Sequence, residues 1–293
     1  VLKALEDRAE EINTCIACNQ ACLDHTFSMQ VCSCIVNPRA CHETELNHLP
    51  VETAKKVAVI GAGPAGLEMA TTSAKRGHKV TLFEAEGEIG GQFNMAKVIP
   101  GKEEYAQTIR YYDVMLKKHG VDVHLNHRVT TQELLEGDFD EIVLATGVTP
   151  RKVEVDGIDH PSVLDYADVL YRKKPVGKRV AIMGAGGIGF DMAEYLAHDM
   201  AHEVPTLSVH AYMQEWGVDM DYNRGGSLAE GPKPLPSPRE IYLLKRSKGK
   251  HGKNLGKTTG WIHRASLNMK DVKMLALVEY KKIDDMGLHI EVG

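Results

Sequence analysis

Short apolar runs, glycine-rich turns and amphipathic stretches follow one another along most of the chain. The run Lys-Val-Ala-Val-Ile at 56–60 is typical of a strand buried in a parallel sheet. A glycine-rich turn at 61–66, a helix over 67–75 and a second strand over 79–84 are predicted after it. The same order recurs with a strand over 179–183, a glycine-rich turn over 184–189 and a helix over 190–198. The pattern therefore predicts an α/β fold in which one unit is repeated.

Three further strands and one long helix complete this prediction. A helix is expected over 103–119, because apolar residues recur there at helical spacing: Tyr105, Ile109, Tyr112 and Leu116. Strands are expected over 121–125, 141–146 and 240–245. The residues 201–239 are predicted to form a long inserted loop, and a loop of that length is often functional.

Each of the two glycine-rich turns has the spacing Gly-x-Gly-x-x-Gly, follows an apolar strand and opens a predicted helix. In that context the glycines let the backbone approach a pyrophosphate at the helix N-terminus. The alternative is an ordinary glycine-rich turn. The candidate binding residues are Gly61, Gly63, Pro64, Ala65 and Gly66 in the first turn, and Gly184, Gly186, Gly187, Ile188 and Gly189 in the second. Both units are therefore predicted to be Rossmann-like.

The residues at the end of each second strand differ in charge. Glu84 ends that strand in the first unit, where a carboxylate can bind both ribose hydroxyls of an adenosine. Lys245 and Arg246 end it in the second unit, where two cations can pair with a 2′-phosphate. The alternative for the cations is a solvated strand end. The first turn is therefore predicted to bind FAD and the second NADPH.

Two more glycine-containing segments are expected near the flavin. Gly90-Gly91-Gln92 lies in the loop after Glu84, and Ala145-Thr146-Gly147 lies at a strand end facing the same crevice. Gly91, Gln92, Ala145, Thr146 and Gly147 are therefore candidate FAD-binding residues. Either segment could instead be a plain turn.

All six cysteines lie within the first 41 residues, so they serve a local task. Cys15, Cys18, Cys22 and Cys34 are separated by two, three and eleven residues, and four thiolates are the usual ligands of a [4Fe–4S] cluster. Cys34 is favoured over Cys32 as the fourth ligand because Asn37-Pro38 follows it closely. A structural zinc site is the alternative for the whole motif.

The composition gives no reason to expect a strongly anionic partner. The net charge is −5 and the hydrophobic content is 43%, so there is no electrostatic reason to expect nucleic acid or an anionic membrane as a partner. No apolar run is long enough for a bilayer span, and no signal peptide is visible. We therefore expect a cytoplasmic protein. The chain begins at a valine and ends within a strand-like alternation, which we interpret as truncation at both ends.

Several longer motifs point to one enzyme family. Residues 13–24, Asn37-Pro38-Arg39-Ala40-Cys41-His42-Glu43, residues 90–94 and 99–104, the second glycine-rich turn and residues 256–264 closely resemble bacterial NADPH-dependent 2,4-dienoyl-CoA reductases. These are iron–sulfur flavoenzymes related to old yellow enzyme and trimethylamine dehydrogenase. Cys32 departs from the family pattern. The resemblance covers nearly the whole chain.

The resemblance implies a division of labour among three domains with a glutathione-reductase-like arrangement. Residues 1–50 would bind the [4Fe–4S] cluster. Residues 51–175 would form an incomplete FAD-binding domain, and residues 176–293 would form a truncated NADPH-binding domain. Electrons would pass from NADPH through FAD and the cluster to FMN in a preceding TIM barrel. That barrel would reduce a 2,4-dienoyl-CoA during β-oxidation of unsaturated fatty acids. No catalytic side chain is expected in these 293 residues.

Two other functions remain open at this point. The same electron path could serve another enoate or a cyclic enone. The chain could also be a non-catalytic module in which zinc is structural and both turns bind nucleotide without turnover. The opposite charges at Glu84 and Lys245-Arg246 argue against that module, because two differently tuned sites indicate a donor and an acceptor.

Overall fold

The computed structural model describes residues 1–151, 153–199 and 204–293. These residues form two compact units. The first unit contains Val1–Lys97 and Lys102–Thr149, and the second contains Val98–Gly101 and Pro150–Gly293. The cysteine-rich segment thus packs with the first unit, and residues 150–175 pack with the second, whereas the sequence analysis places them with the first. The cofactor held by each domain stays a prediction.

A four-stranded parallel sheet forms the centre of the first unit. Its strands are β1 (Lys56–Ile60), β2 (Lys79–Phe83), β3 (Asp122–His124) and β4 (Glu141–Leu144), in the spatial order β3-β2-β1-β4. Val57 on β1 is in register with Val80 on β2 and with Glu141 on β4. The central strands are apolar because helices cover them, and Val57, Val59 and Leu82 are buried.

Six α-helices belong to the first unit: α1 (Leu2–Leu5), α2 (Leu23–Thr26), α3 (Pro64–Lys75), α4 (Phe93–Ala96), α5 (Tyr105–Lys118) and α6 (Thr131–Glu136). The predicted helices over 67–75 and 103–119 correspond to α3 and α5. α3 starts three residues earlier than predicted because Pro64 occupies its first position, where the missing N–H has no helical partner to lose. Tyr112 and Leu116 of the predicted apolar face of α5 are buried.

The core of the first unit joins α3 and α5 to the sheet. Leu67 and Ala70 of α3 pack with Tyr112 of α5 and with the buried strand residues. The Tyr112 hydroxyl donates a 2.8 Å hydrogen bond to the carboxylate of Glu68 on α3. Burial of the phenol ring and this bond together fix α5 against α3.

The second unit has a three-stranded parallel sheet and an antiparallel hairpin. The sheet contains β5 (Arg179–Met183), β6 (Glu240–Leu244) and β7 (Lys273–Leu275), and the hairpin contains β8 (Val278–Asp284) and β9 (Gly287–Val292). The helices of this unit are α7 (Tyr166–Leu170), α8 (Gly187–Ala197), α9 (Val209–Glu215) and α10 (Gly260–Met269). Ile241, Leu243 and Leu267 are buried in its core.

The predicted loop over 201–239 contains regular structure, so that prediction was wrong in part. α9 begins there, with the Ser208 hydroxyl accepting a 3.3 Å hydrogen bond from the Ala211 N–H. Short 3₁₀ helices occupy Pro205–Leu207 and Gly225–Ser227. A helix of only seven residues leaves a weak periodic pattern, which explains the miss. Residues 201–203 of this segment lie outside the described residues.

The predicted fold class is confirmed, because both units are Rossmann-like α/β units with parallel sheets. No helix in the described part of the chain is long and apolar enough to cross a bilayer.

Candidate functional site: two dinucleotide loops and a cysteine segment

The first glycine-rich loop joins β1 to α3 and is tightly packed. Gly61 has φ = +101°, in the left-handed region that favours glycine, and a Cβ there would lie 2.5 Å from the carbonyl oxygen of Ala145. A Cβ on Gly66 would lie 1.9 Å from the carbonyl oxygen of Gly61. A Cβ on Gly63, by contrast, would meet no described atom within 4 Å. The outer glycines therefore close the loop on the helix, and the middle one leaves the backbone open to a ligand.

The helix that follows this loop starts directly at the open backbone. Pro64 and Ala65 form the first turn of α3, and Ala65 is exposed. The positive end of the helix dipole therefore points towards the loop, where it favours an anion such as a pyrophosphate.

The carboxylate of Glu84 is fixed beside this loop. Glu84 is 9% exposed. One of its oxygens accepts a 2.7 Å hydrogen bond from the Ala62 N–H, and the other accepts a 2.9 Å hydrogen bond from the Glu86 N–H. Each carboxylate oxygen keeps a further lone pair, which the predicted contact with ribose hydroxyls requires.

The loop after Glu84 packs directly on the first glycine-rich loop. The Gly90 N–H donates a 2.8 Å hydrogen bond to the carbonyl oxygen of Ala62. A Cβ on Gly91 would lie 2.8 Å from the Cα of Gly63, so only glycine allows this approach. Gly91 is thereby held against the open side of the loop.

The segment after β4 reaches the same place. The Ala145 N–H donates a 2.8 Å hydrogen bond to the carbonyl oxygen of Ile60, and Gln92 Nε2 donates a 3.2 Å hydrogen bond to that of Val148. Thr146 follows Ala145 at the first loop, and Gly147 has φ = +73° with no described atom near its Cβ position. All the predicted FAD-binding residues thus lie around one loop, and their role stays a prediction.

The second glycine-rich loop, between β5 and α8, has nearly the same backbone. Gly184 has φ = +112°, and a Cβ on Gly189 would lie 1.9 Å from the carbonyl oxygen of Gly184. Gly186 and Gly187 have no described atom within 4 Å of their Cβ positions. Ile188 is exposed in the first turn of α8, which begins at Gly187 and not at Phe190 as predicted. The two loops therefore offer the same backbone arrangement to a ligand.

The two cations after β6 differ in their surroundings. Lys245 is half-buried, and its Nζ donates hydrogen bonds of 2.9 and 3.4 Å to the carbonyl oxygens of Lys250 and Lys248. Arg246 is exposed. The two cations, which the sequence predicts to be equivalent, therefore differ in burial and in hydrogen bonding.

Two residues of this region were missed by the sequence analysis. His251 is 6% exposed, and its Nε2 lies 3.1 Å from the carbonyl oxygens of both Leu243 and Leu275. Burial and the Lys245 charge lower the pKa of His251, so the ring is neutral at pH 7 and its N–H donates to these oxygens. A histidine in a run of glycine and lysine gives no pattern that predicts burial.

Tyr280 on β8 is the second missed residue. Burial raises the pKa of its phenol, while the Arg246 charge and a hydrogen bond from the Gly184 backbone oppose that rise. Tyr280 therefore lies beside both the second glycine-rich loop and Arg246. The alternation of Val278 and Tyr280 on one face of a strand was the available signal.

A group of buried polar side chains connects α8, α9 and α10. We call it the ionic cluster, and it consists of Glu194, Glu215, Ser266 and Lys270. Lys270 Nζ lies 2.7 Å from Glu215 Oε1, and these residues are 3% and 6% exposed. The Ser266 hydroxyl donates a 2.6 Å hydrogen bond to Glu194 Oε1. Glu194 as a residue is half-buried, but its Oε2 is buried with no hydrogen-bond partner among the described residues. Burial raises the pKa of Glu194 to about 7.

The six cysteines fall into two groups. Burial raises the pKa of the Cys18 thiol, and the charges of Cys22, Cys34 and Cys15 raise it further. Burial also raises the pKa of Cys41, and its thiol is hydrogen-bonded to that of Cys32. The choice of Cys34 over Cys32 as the fourth ligand stays a prediction.

The four predicted ligands are free cysteines, and thiolates are the usual ligands of an iron–sulfur cluster, so the residue types fit such a cluster. In the described part of the chain, no three histidine, cysteine or acidic side chains form a group that could hold a metal ion. The assignment of Cys15, Cys18, Cys22 and Cys34 as ligands therefore stays a prediction.

Comparisons with known proteins identify a matching family and several relatives. A family described as pyridine nucleotide-disulphide oxidoreductase matches residues 55–287. The metal reductase of Desulforamulus reducens is 33% identical over 277 residues, which cover 93% of this chain and 40% of that protein. The cinnamate reductase of Clostridium sporogenes is 36% identical over 194 residues, which cover 66% of this chain and 29% of that protein.

One solved structure aligns along the whole chain. A 2-naphthoyl-CoA reductase in complex with 2-naphthoyl-CoA aligns with a TM-score of 0.83 and 29% identity, covering 100% of this chain and 39% of that protein. The chain thus spans two fifths or less of the length of these relatives.

Proposed function

The chain belongs to the pyridine nucleotide-disulphide oxidoreductase family, and we propose that it is the electron-input part of an NADPH-dependent reductase. Family membership implies sites for FAD and a nicotinamide nucleotide. In this proposal the first loop binds FAD, the second binds NADPH, and the cysteine segment holds a [4Fe–4S] cluster. The reduced thiols that a cluster needs favour a cytoplasmic location.

The observation that carries the proposal is the contrast between two loops of similar backbone. Gly61 and Gly66 close the first loop as Gly184 and Gly189 close the second. A buried carboxylate, Glu84, lies beside the first loop, and cations follow the strand beside the second. The carboxylate accepts hydrogen bonds from an unmodified ribose and repels a 2′-phosphate, whereas the cations attract one.

The residues of the chain bind and orient, and none is assigned a proton transfer. A flavin accepts two electrons from a nicotinamide and can release them singly, which is the chemistry that FAD supplies when bound. The open backbone at Gly63 receives the flavin pyrophosphate, and Gly91 approaches it from the neighbouring loop. Cys15, Cys18, Cys22 and Cys34 provide the thiolates of the cluster.

For the whole protein, we propose a 2,4-dienoyl-CoA as the substrate, reduced at an FMN site in a TIM barrel. The resemblance of the cysteine motif supports this choice. The names of two relatives, a cinnamate reductase and a 2-naphthoyl-CoA reductase, also refer to conjugated acyl groups. If the intact protein turns over a 2,4-dienoyl-CoA faster than it turns over cinnamate, the proposed substrate is supported. If cinnamate is turned over faster, the substrate is an enoate instead.

An anaerobic titration of the intact protein with NADPH, followed by visible absorption, tests the electron path. Bleaching of the flavin together with loss of the broad cluster absorption supports the proposal. Bleaching of the flavin alone, with zinc in place of iron and sulfide on metal analysis, contradicts the cluster assignment. No bleaching at all favours a module that binds nucleotide without turnover.

A further inference from the structure

The cysteine-rich segment, residues 1–50, buries few side chains. All residues of this segment are described, and only Glu11 and Ile16 among them are buried. Large apolar side chains such as Leu5 and Met29 are exposed. A segment that buries so little apolar surface gains little from the hydrophobic effect. Its place on the first unit therefore depends on polar contacts.

Arg110 on α5 binds the backbone of this segment at two points. Its Nη1 donates a hydrogen bond to the carbonyl oxygen of Glu10, and its Nη2 donates a 2.9 Å hydrogen bond to that of Ile12. Its Nε donates a 2.7 Å hydrogen bond to Gln107 Oε1 on the same helix. All three guanidinium nitrogens are thus engaged, and the planar donor array of arginine holds two alternate peptide carbonyls at once.

The residue between these carbonyls is held as well. Glu11 is 8% exposed, and its carboxylate lies 2.6 Å from Lys118 Nζ of α5 and 2.7 Å from Arg8 Nη1. Its carbonyl oxygen accepts a 2.5 Å hydrogen bond from Lys3 Nζ. Arg110 and Lys118 are about 12 Å apart along the α5 axis at 1.5 Å per residue. α5 therefore holds the segment at two separated points.

This anchor connects directly to the predicted cluster ligands. Asn13 follows the anchored residues, and its Nδ2 donates a 2.7 Å hydrogen bond to the carbonyl oxygen of Val36. Cys15 comes two residues after Asn13, and Val36 comes two residues after Cys34. The first and the last cysteine of the predicted ligand set are thereby tied to each other next to the anchor on α5.

The same helix is fixed to the first glycine-rich loop. α3 begins at that loop, and α5 packs on α3 through the Tyr112–Glu68 hydrogen bond described above. The far end of the cysteine segment is also held at the end of α3, where Arg76 Nε donates a 3.0 Å hydrogen bond to the carbonyl oxygen of Leu49. α3 and α5 therefore join the cysteine segment to the flavin loop.

We propose that Arg110 is a positioning residue that holds the cysteine segment on α5 and so fixes the distance between the cluster ligands and the flavin loop. This inference rests on the proposed function, because it presupposes FAD at the first loop and a cluster in the segment. In the step concerned, one electron leaves the reduced flavin and enters the oxidised cluster. Arg110 forms and breaks no covalent bond, and it affects this step only through the distance.

Hydrogen exchange on the intact protein tests the anchor without turnover. The backbone N–H groups of Glu11 and Ile12 are hydrogen-bonded within the segment. Arg110→Gln should raise their exchange rate about 10-fold to 100-fold, the range for lost hydrogen bonds to a charged group. Lys117→Gln is the control, because Lys117 Nζ contacts Asp113 on the same helix, and it should change exchange less than about twofold. Unchanged exchange in Arg110→Gln would contradict the anchor.

Rapid anaerobic mixing of the intact protein with NADPH tests the consequence for electron transfer. Arg110→Gln should leave the rate of flavin bleaching and the iron and sulfide content unchanged. Loss of the cluster absorption should slow in proportion to the fraction of molecules that keep the segment on α5. Arg110→Lys keeps a cation that can reach one carbonyl oxygen, so its cluster rate should lie between those of the wild type and Arg110→Gln. Loss of iron, or equal slowing of both phases, would show a general structural role and overturn the inference.

The wild-type protein separates this inference from the proposed function. A wild type whose flavin bleaches without any cluster signal contradicts the proposed electron path itself. A wild type that shows both phases, together with Arg110→Lys and Arg110→Gln variants that show the same two rates, leaves the electron path intact and overturns only the role of Arg110.

Discussion

Replacing Glu194 by glutamine should make the second unit more stable at alkaline pH and leave it unchanged at acidic pH. Glutamine has nearly the same shape as glutamate and keeps an oxygen that can accept the hydrogen bond from Ser266. It carries no charge, so it removes the one carboxylate of the ionic cluster that has no cationic partner of its own. Lys270, the cation of the cluster, is paired with Glu215.

The magnitude follows from the pKa of Glu194. Burial raises that pKa from 4.5 to about 7, although the Ser266 hydrogen bond and the Lys270 charge lower it; the charges of Glu215 and Asp191 add to the rise. A difference of roughly 2.5 units at about 1.36 kcal/mol per unit corresponds to about 3 kcal/mol. This is a large fraction of the stability of an ordinary domain.

The sign follows from which state holds the proton. Below the unfolded pKa of 4.5, Glu194 is protonated in both states, and its favourable contribution to the native state is complete. As the pH rises from there to about 7, the unfolded chain releases the proton while the native state keeps it, so stability falls. Above that range the loss is complete. The difference between the glutamine variant and the wild type should therefore grow from near zero to about 3 kcal/mol.

Tryptophan fluorescence provides the assay, because both tryptophans, Trp216 and Trp261, lie in the second unit. Urea unfolding of the wild type and of Glu194→Gln at pH 5, 6, 7, 8 and 9 gives the free energy of unfolding at each pH. Glu154→Gln, at an exposed position of the same unit, is the control and should give a difference that does not vary with pH. An equally flat difference for Glu194→Gln would refute the reasoning.

Four further substitutions test other contacts. Gly66→Ala should abolish retention of flavin, measured as flavin absorbance per chain, because its Cβ would lie 1.9 Å from a backbone carbonyl oxygen. Cys34→Ser should lose most of the iron and sulfide while Cys32→Ser keeps both; the opposite result would make Cys32 the fourth ligand. Lys270→Met should destabilise the second unit by about 3–5 kcal/mol in urea unfolding, because it leaves the carboxylate of Glu215 buried without its cation.

The elements that could be predicted from the sequence are those with a strong local signal. β1 and β5 have the predicted limits, because five-residue apolar runs bounded by glycine turns are distinctive. The starts of α3 and α8 were placed too late by three residues each. The motif glycines themselves form the first helical turn, and their low helix propensity masks it.

The candidate site could be predicted at the level of the backbone but not of the side chains. The glycine spacing predicts both loops, and the strand-end position of Glu84 predicts its place beside Ala62. The different surroundings of Lys245 and Arg246 depend on where each side chain turns after β6. The cluster around Glu194 depends on the packing of three helices that are distant in sequence. Neither the side-chain directions nor this helix packing produces a local pattern in the sequence.

The two loops offer nearly the same backbone to the two nucleotides that are proposed for them. Their glycines give nearly the same backbone geometry, so selectivity must come from the side chain at the end of the adjacent strand. A 2′-phosphate about 4 Å from the carboxylate of Glu84 would be repelled by about 4 kcal/mol per unit charge at an effective dielectric constant of about 20, which is roughly a thousandfold in affinity. A guanidinium at Arg246 reverses the sign of this interaction. In the proposed assignment, the carboxylate of Glu84 therefore disfavours NADPH at the first loop, and a cation at Arg246 favours it at the second.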